Sequence, residues 1–217
     1  MPEDLHRHAT LVDEHESPRP KTVRARHAAS LLVWREAGDT TEILMGMRGA
    51  RHRFMPNRLV FPGGAVDRAD LSAQVATGLS HRTETALHRN ANQKLARGLG
   101  VAAARELFEE TGLSLGSPPV LDGLEYLARA ITPADSPIRF NARFFCVHAS
   151  RVTGVLGGDG ELENLRFYDM AEALALDLAA PTRRMLEQLR IWLAMSEAER
   201  AARTHVPVLK DRGWKME

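Results

Sequence analysis

One short segment constrains this chain more than any other: Arg105-Glu106-Leu107-Phe108-Glu109-Glu110-Thr111-Gly112-Leu113. The residues from Val101 onward are strong helix formers, and Gly112 stands where a helix ends on a left-handed residue. The spacing predicts a helix over 101–112. At ~100° per residue, Glu106, Glu109 and Glu110 share an arc of roughly 100°. Ala104 and Phe108 fall on the other side with Leu107 between them, which is read as the core face. Carboxylates three or four residues apart repel, each pair costing a few tenths of a kcal/mol. A helix carries that cost when the stripe is solvated, or when a hard divalent cation collects the oxygens. Arg105, four residues before Glu109, is placed to brace that carboxylate.

Upstream, Leu59-Val60-Phe61 reads as a strand that runs into Pro62-Gly63-Gly64. Two glycines after a strand let the backbone approach a ligand closely, and their carbonyls are oxygen donors. Just before this turn lie Arg48, Arg51 and Arg53, with His52 and Phe54 among them. Arginine forks match phosphate oxygens, and an aromatic ring can stack on a base.

Composition narrows the function classes. The chain has 217 residues, of which 44% are hydrophobic and 26% charged, the balance of a globular domain with a real core. A net charge of +1 gives no large field to favour nucleic acid or an acidic membrane surface. The longest apolar runs, 28–34 and 173–180, fall far short of the ~20 residues that span a bilayer. The first residues lack the apolar stretch of a secretory signal. Cys146, the single cysteine, has no disulfide partner in the chain and excludes a cysteine-based zinc site, which favours a reducing cytoplasm.

The organisation reads as one α/β domain, with strands and helices interspersed. Residues 1–26 are polar and proline-bearing, a flexible tail whose His6, His8 and His15 are read as solvated. Residues 28–48 form a hairpin, 67–98 one or two helices joined near Gly78–Ser80, and 123–130 and 140–148 further strands. A short strand at 165–168 precedes a helix at 170–178. An amphipathic helix spans 181–202, with Met185, Leu186, Leu189, Ile191, Trp192 and Met195 apolar, and 206–217 is a second tail.

The glycine turn and the glutamate helix together resemble the Nudix box, whose pattern is G-x5-E-x7-R-E-U-x-E-E-x-G-U with U aliphatic. Gly64 opens the pattern, and Arg105-Glu106-Leu107, Glu109-Glu110 and Gly112-Leu113 match every fixed position of its second half. There are two departures: Asp70 replaces the first glutamate, and 34 residues separate it from Arg105 where the pattern has the x7 spacer. The resemblance therefore implies a Nudix-type α/β/α sandwich over residues 27–205, with a mixed sheet and a helical insertion at 67–98 inside the box.

It further implies a hydrolase of a nucleoside diphosphate linked to another moiety, working with Mg²⁺ or Mn²⁺ held by Glu106, Glu109, Glu110 and the Gly63 carbonyl. Arg105 would position the glutamates, and Glu161, in a later loop, is a candidate base. The long insertion, the Met47–Pro56 stretch and Ile131-Thr132-Pro133 with Arg139-Phe140-Asn141 resemble the coenzyme A diphosphatase branch. That likeness points to coenzyme A or acyl-coenzyme A, with Arg48, Arg51, Arg53 and Phe54 as substrate-binding residues. Two alternatives stay open: a broad ADP-ribose, NADH or dinucleotide diphosphatase, and a non-catalytic nucleotide-binding module. Asp70, and Arg97 where a glutamate is expected, keep the second of these in view. The expected partner is a small nucleotide, with a homodimer as an option and no nucleic acid or membrane.

Overall fold

A computed structural model describes residues 23–49 and 57–217. Strand β1 (Arg26–Ala37) turns at Gly38-Asp39 into β2 (Thr40–Arg48), the expected hairpin. Alternation along β1 sends Ala29, Leu31 and Val33 into one core and Leu32 into another, so both faces of the sheet are covered. Two short strands, β3 (Arg58–Val60) and β4 (Gly63–Ala65), flank the Pro62 corner.

Helices α1 (His81–His88) and α2 (Gln93–Thr111) follow, then a small ribbon of β5 (Leu113–Ser114) with β8 (Thr153–Gly154). Between the two ribbon strands run β6 (Glu125–Ile131) and β7 (Phe140–His148). After them come β9 (Leu162–Asp169), α3 (Met170–Ala175), α4 (Ala180–Ala194), α5 (Glu197–Ala202), β10 (Pro207–Lys210) and β11 (Gly213–Met216).

The main sheet has the order β11-β10-β6-β7-β1-β2-β3, with β4 beside the start of β1 and β9 beside β2. The β1–β7 and β10–β6 pairs are parallel and the others antiparallel, so the sheet is mixed. Leu87 of α1 and Ala96, Leu99, Ala103 and Leu107 of α2 pack on one face. Met170 and Ala173 of α3 and Met185, Leu186 and Leu189 of α4 pack on the other. The result is the α/β/α sandwich. No helix among the described residues is long and apolar enough to cross a membrane.

Several expectations need correction. Phe108 is not a core residue: it is 59% exposed, while the buried face of α2 runs through Ala103, Ala104, Leu107 and, unexpectedly, Glu110. The sheet lies closer to the glutamate side than the apolar pattern alone implies. Residues 67–80 are irregular rather than helical. Ser80 accepts from the Thr83 amide and Asn92 from the Leu95 amide at 2.9 Å, so two N-caps set where α1 and α2 start. The glutamate helix thus begins at Gln93, inside the stretch expected to be insertion.

The long terminal helix is broken at Met195, because Ser196 and Glu199 form a capping box that starts α5 afresh, and Ile191 is exposed. The segment expected as a C-terminal tail is a hairpin on the sheet edge. It buries Val206 and Val208 and turns through Asp211 (φ 52°) and Arg212 (φ 65°), a left-handed pair without the usual Asn-Gly signature.

Candidate active site

The glycine corner is built against β1. The Pro62 carbonyl accepts from the Ser30 hydroxyl and from the Leu31 amide, both at 2.9 Å. A Cβ on Gly63 would lie 2.6 Å from the Ala29 carbonyl oxygen and the Ser30 Cα, both backbone atoms, so no side chain fits there. A Cβ on Gly64 would lie 2.2 Å from Glu106 Oε1, so the second glycine makes room for the first glutamate of the helix. The Gly63 amide donates to Glu110 Oε2 at 2.9 Å. The two halves of the pattern therefore meet in space, and the intervening residues pass outside them.

Arg105 is the hub of the site. Its Nε and Nη2 donate to the two oxygens of Asp70, each at 3.0 Å, in a bidentate fork. Nη2 also reaches the Ala65 carbonyl at 3.0 Å, while Nη1 serves Glu106 Oε1 at 2.8 Å and Glu109 Oε2 at 2.9 Å. Asp70 is only 2% exposed and also accepts from the Asp67 amide at 2.8 Å. Asp70 takes the place of the pattern's glutamate and clamps the arginine. These bonds, above all the one to Asp70, raise the Arg105 pKa and keep it charged. Arg97, which stands where a glutamate was expected, ties the helix to the Ala73 carbonyl and lies apart from this cluster.

Glu110 is 1% exposed. Burial pushes its pKa up to about 8, with Glu161 and Glu106 adding like charge against the opposing pull of the Gly63 amide and Arg48. Glu106 is raised as well, chiefly by burial, although Arg105 draws it down. Arg48 Nη2 lies 3.5 Å from Glu110 Oε1 and 3.5 Å from Glu161 Oε1.

Glu161 reaches the cluster because its loop is tied to the end of α2. The Gly157 amide donates to the Thr111 carbonyl and the Asp159 amide to the Glu109 carbonyl, both at 2.9 Å, and Asp159 Oδ1 accepts from the Glu161 amide. Any Cβ on Gly158 would lie 2.3 Å from the Glu110 carbonyl oxygen. Sequence reading named Glu161 but missed this anchoring, whose only trace is the Gly157-Gly158-Asp159-Gly160 run. It also read Asp70 as a departure rather than as the partner of Arg105.

Arg48, Arg105, Glu106, Glu109, Glu110 and Glu161 are thus brought together around Gly63. Gly63 meets the cluster through its amide. Arg51, Arg53 and Phe54, along with the tail histidines, lie outside the described residues. As placed, no three acidic, histidine or cysteine side chains among the described residues converge on one point as a ready metal cage. The donors are nonetheless hard oxygens throughout. Glu110 is buried beside Glu106 and Glu161, a set of oxygen donors of the kind a hard divalent cation takes.

The comparisons with known proteins agree with this geometry. Residues 98–189 match the NUDIX domain family. Over 88 residues the chain is 36% identical to a Caenorhabditis elegans protein named as nudix hydrolase 7, a stretch covering 41% of this chain but only 22% of that protein. The fold resembles a NUDIX hydrolase from Alicyclobacillus acidocaldarius, with TM-score 0.60, 23% identity, and 76% of this chain and 90% of that one covered. It also resembles the NUDIX domain of Shewanella oneidensis NrtR, solved with ADP-ribose, with TM-score 0.53, 16% identity, and 81% and 94% covered. The matched stretch takes in the glutamates of α2 and Glu161, so over that part the chain is similar to NUDIX domains, and its fold is similar to theirs.

Proposed function

We propose that this protein is a divalent-metal-dependent Nudix hydrolase that cleaves the diphosphate of a nucleoside diphosphate linked to another moiety. The observation that carries this reading is the rejoined box. Asp70 and Arg105 form one bidentate clamp, Glu106 packs over Gly64, and Glu110 is fixed on the Gly63 amide. The same clamp speaks against a non-catalytic module, since the Asp70 departure leaves the positioning intact.

Glu106, Glu109 and Glu110 would hold Mg²⁺ or Mn²⁺. Bound there, such an ion polarises phosphate oxygens and lowers the pKa of a coordinated water. The chain's own residues do the rest. Arg105 keeps Glu106 and Glu109 from swinging into solvent, because one guanidinium grips both and is itself locked by Asp70. Glu161, held by its anchored loop within reach of Arg48 and close enough to raise the pKa of Glu110, is the candidate acceptor for the proton of the attacking water.

The favoured substrate is coenzyme A or a short acyl-coenzyme A. Metals and a glycine turn act on any diphosphate, so discrimination rests with groups that hold the remainder of the molecule. Coenzyme A carries a 3′-phosphate, which Arg51 and Arg53 are placed in sequence to grip. The test is a Mg²⁺/Mn²⁺ hydrolysis panel of coenzyme A, dephospho-coenzyme A, acetyl-coenzyme A, NADH, ADP-ribose and diadenosine polyphosphates. Coenzyme A should be cleaved better than its dephospho form, and Arg51→Ala with Arg53→Ala should erode that preference. Equal cleavage of the two forms would make a broad dinucleotide or ADP-ribose diphosphatase the better description.

A further inference from the structure

The two arginines of the site are held very differently. Arg105 makes its contacts with Asp70, Ala65, Glu106 and Glu109 at 2.8–3.0 Å, a fully seated fork. Arg48 touches Glu110 and Glu161 only at 3.5 Å, through a single nitrogen. Its Nε is buried and finds no hydrogen-bond partner among the described residues. An arginine built for a structural pair uses its planar fork bidentately; this one is aimed into the cluster by charge alone.

Its position is set by the strand. The β2–β9 pairing slips between Met45 and Met47, and Arg48 then faces Leu162, next in sequence to Glu161. A β-bulge of this kind re-aims the side chains beyond it, and such bulges gather beside active sites.

We propose that Arg48 is a resident counter-cation of the carboxylate cluster, which an entering divalent ion displaces from Glu110. The proposal rests on the reading that these glutamates bind the metal. Guanidinium and metal compete for the same oxygens and repel each other, so both are not accommodated on Glu110 together. Once displaced, the fork stands at the end of β2 with its donors free, where an arriving diphosphate can take them. Arg48 is a positioning residue on this account: without metal it keeps the carboxylates together, and with metal it is released toward substrate.

The test is Mn²⁺ binding without substrate, read from the spectrum of free Mn²⁺ by electron paramagnetic resonance, alongside melting temperature in EDTA. Arg48→Met removes the competitor and should bind Mn²⁺ about fivefold tighter, the scale of one partly buried ion pair. Its melting temperature in EDTA should fall below that of the wild type. Arg48→Lys keeps the charge and should stay within about twofold of the wild type. Unchanged or weaker Mn²⁺ binding by Arg48→Met overturns the proposal, and so does an equal change in both variants. If Glu110→Gln abolishes binding while Arg48→Met leaves it unaltered, the competition fails and the metal site stands. A wild type that binds no Mn²⁺ overturns the metal-site reading as well.

Discussion

Two charged clusters lie along one row of the main sheet and differ in what they lack. Gly64, over which Glu106 packs, sits opposite Ala29; Ala29 lies beside Arg143, and Arg143 opposite Arg129. At the glycine end, Asp70, Glu106, Glu109, Glu110 and Glu161 gather around Arg105 and Arg48 among the described residues. At the other end, Arg143 and Arg129 face one carboxylate, that of Glu217, which Arg129 holds at 2.6 Å and 2.7 Å.

The basic cluster settles its charge with neutral acceptors. Arg143, completely buried, donates to Asn90 Oδ1 at 2.6 Å, the Asn90 carbonyl at 3.2 Å, the Asn141 carbonyl at 3.0 Å and His27 Nδ1 at 3.0 Å. Burial and the nearby Arg129 bring its pKa down to about 10, which leaves it charged near neutral pH. The acidic cluster is settled differently: Arg105 is shared among three carboxylates, and burial raises the pKa of Glu110 so that it keeps its proton to about pH 8. A surplus of cation answered by carbonyls marks a structural joint, whereas the carboxylate surplus is where the proposed function places its metal.

The comparison breaks most visibly at Arg143. Arg143→Met leaves two carbonyls and an amide oxygen buried without donors, each worth ~1–3 kcal/mol, so a loss of about 3 kcal/mol is expected. Urea unfolding measures it, and the metal dependence of any activity should survive in the fraction that folds. Asp70→Asn is the counterpart at the acidic end. It keeps the shape of the clamp but removes the charge that faces Arg105, at a cost of about 2 kcal/mol. Because Arg105 then loses its anchor, turnover should fall together with stability, a coupling absent from the Arg143 variant.

These contrasts show what the chain made legible. Helix α2 and its stop were readable because Gly112 (φ 72°) and the glutamate spacing are local signals. So was β7, whose bounds came out as read, since alternation of apolar residues covers the whole strand. The basic cluster was not readable: His27, Asn90, Arg129, Arg143 and Glu217 come from distant segments, and nothing in any one segment announces the others. The same holds for the β10–β11 hairpin, whose Asp-Arg turn imitates a loop, and for Phe108, whose exposure depends on how α2 tilts over the sheet.

A smaller effect sharpens the comparison, because the clusters respond to pH with opposite sign. Glu110 holds a proton in the folded, metal-free protein up to about pH 8, whereas the unfolded chain releases it near 4.5. Stability from this group is therefore full at low pH and lost as pH rises through 8. His27 is lowered by burial and by Arg143, so below its ordinary 6.5 the unfolded chain takes up a proton that the folded one refuses. In EDTA the Glu110 contribution to the melting temperature should fall as pH rises from about 4.5 to 8, an alkaline limb that ends there. The His27 contribution should fall as pH drops below 6.5, an acid limb. Glu110→Gln should flatten the alkaline limb and His27→Gln part of the acid limb. Saturating Mn²⁺ should flatten the alkaline limb in the wild type, since an ion on Glu110 displaces the proton.

On the proposed function, the carboxylate surplus at the glycine corner holds metal for diphosphate cleavage. The direct measurement is the initial rate of coenzyme A and ADP-ribose hydrolysis at saturating Mg²⁺ or Mn²⁺, for the wild type and Glu110→Gln, with products followed by phosphorus NMR. Glu110→Gln keeps an acceptor for the Gly63 amide and removes only the charge, so the fold should stand while turnover drops by about 10²-fold or more. Wild-type cleavage that needs no divalent ion, or near wild-type turnover in Glu110→Gln, would contradict it.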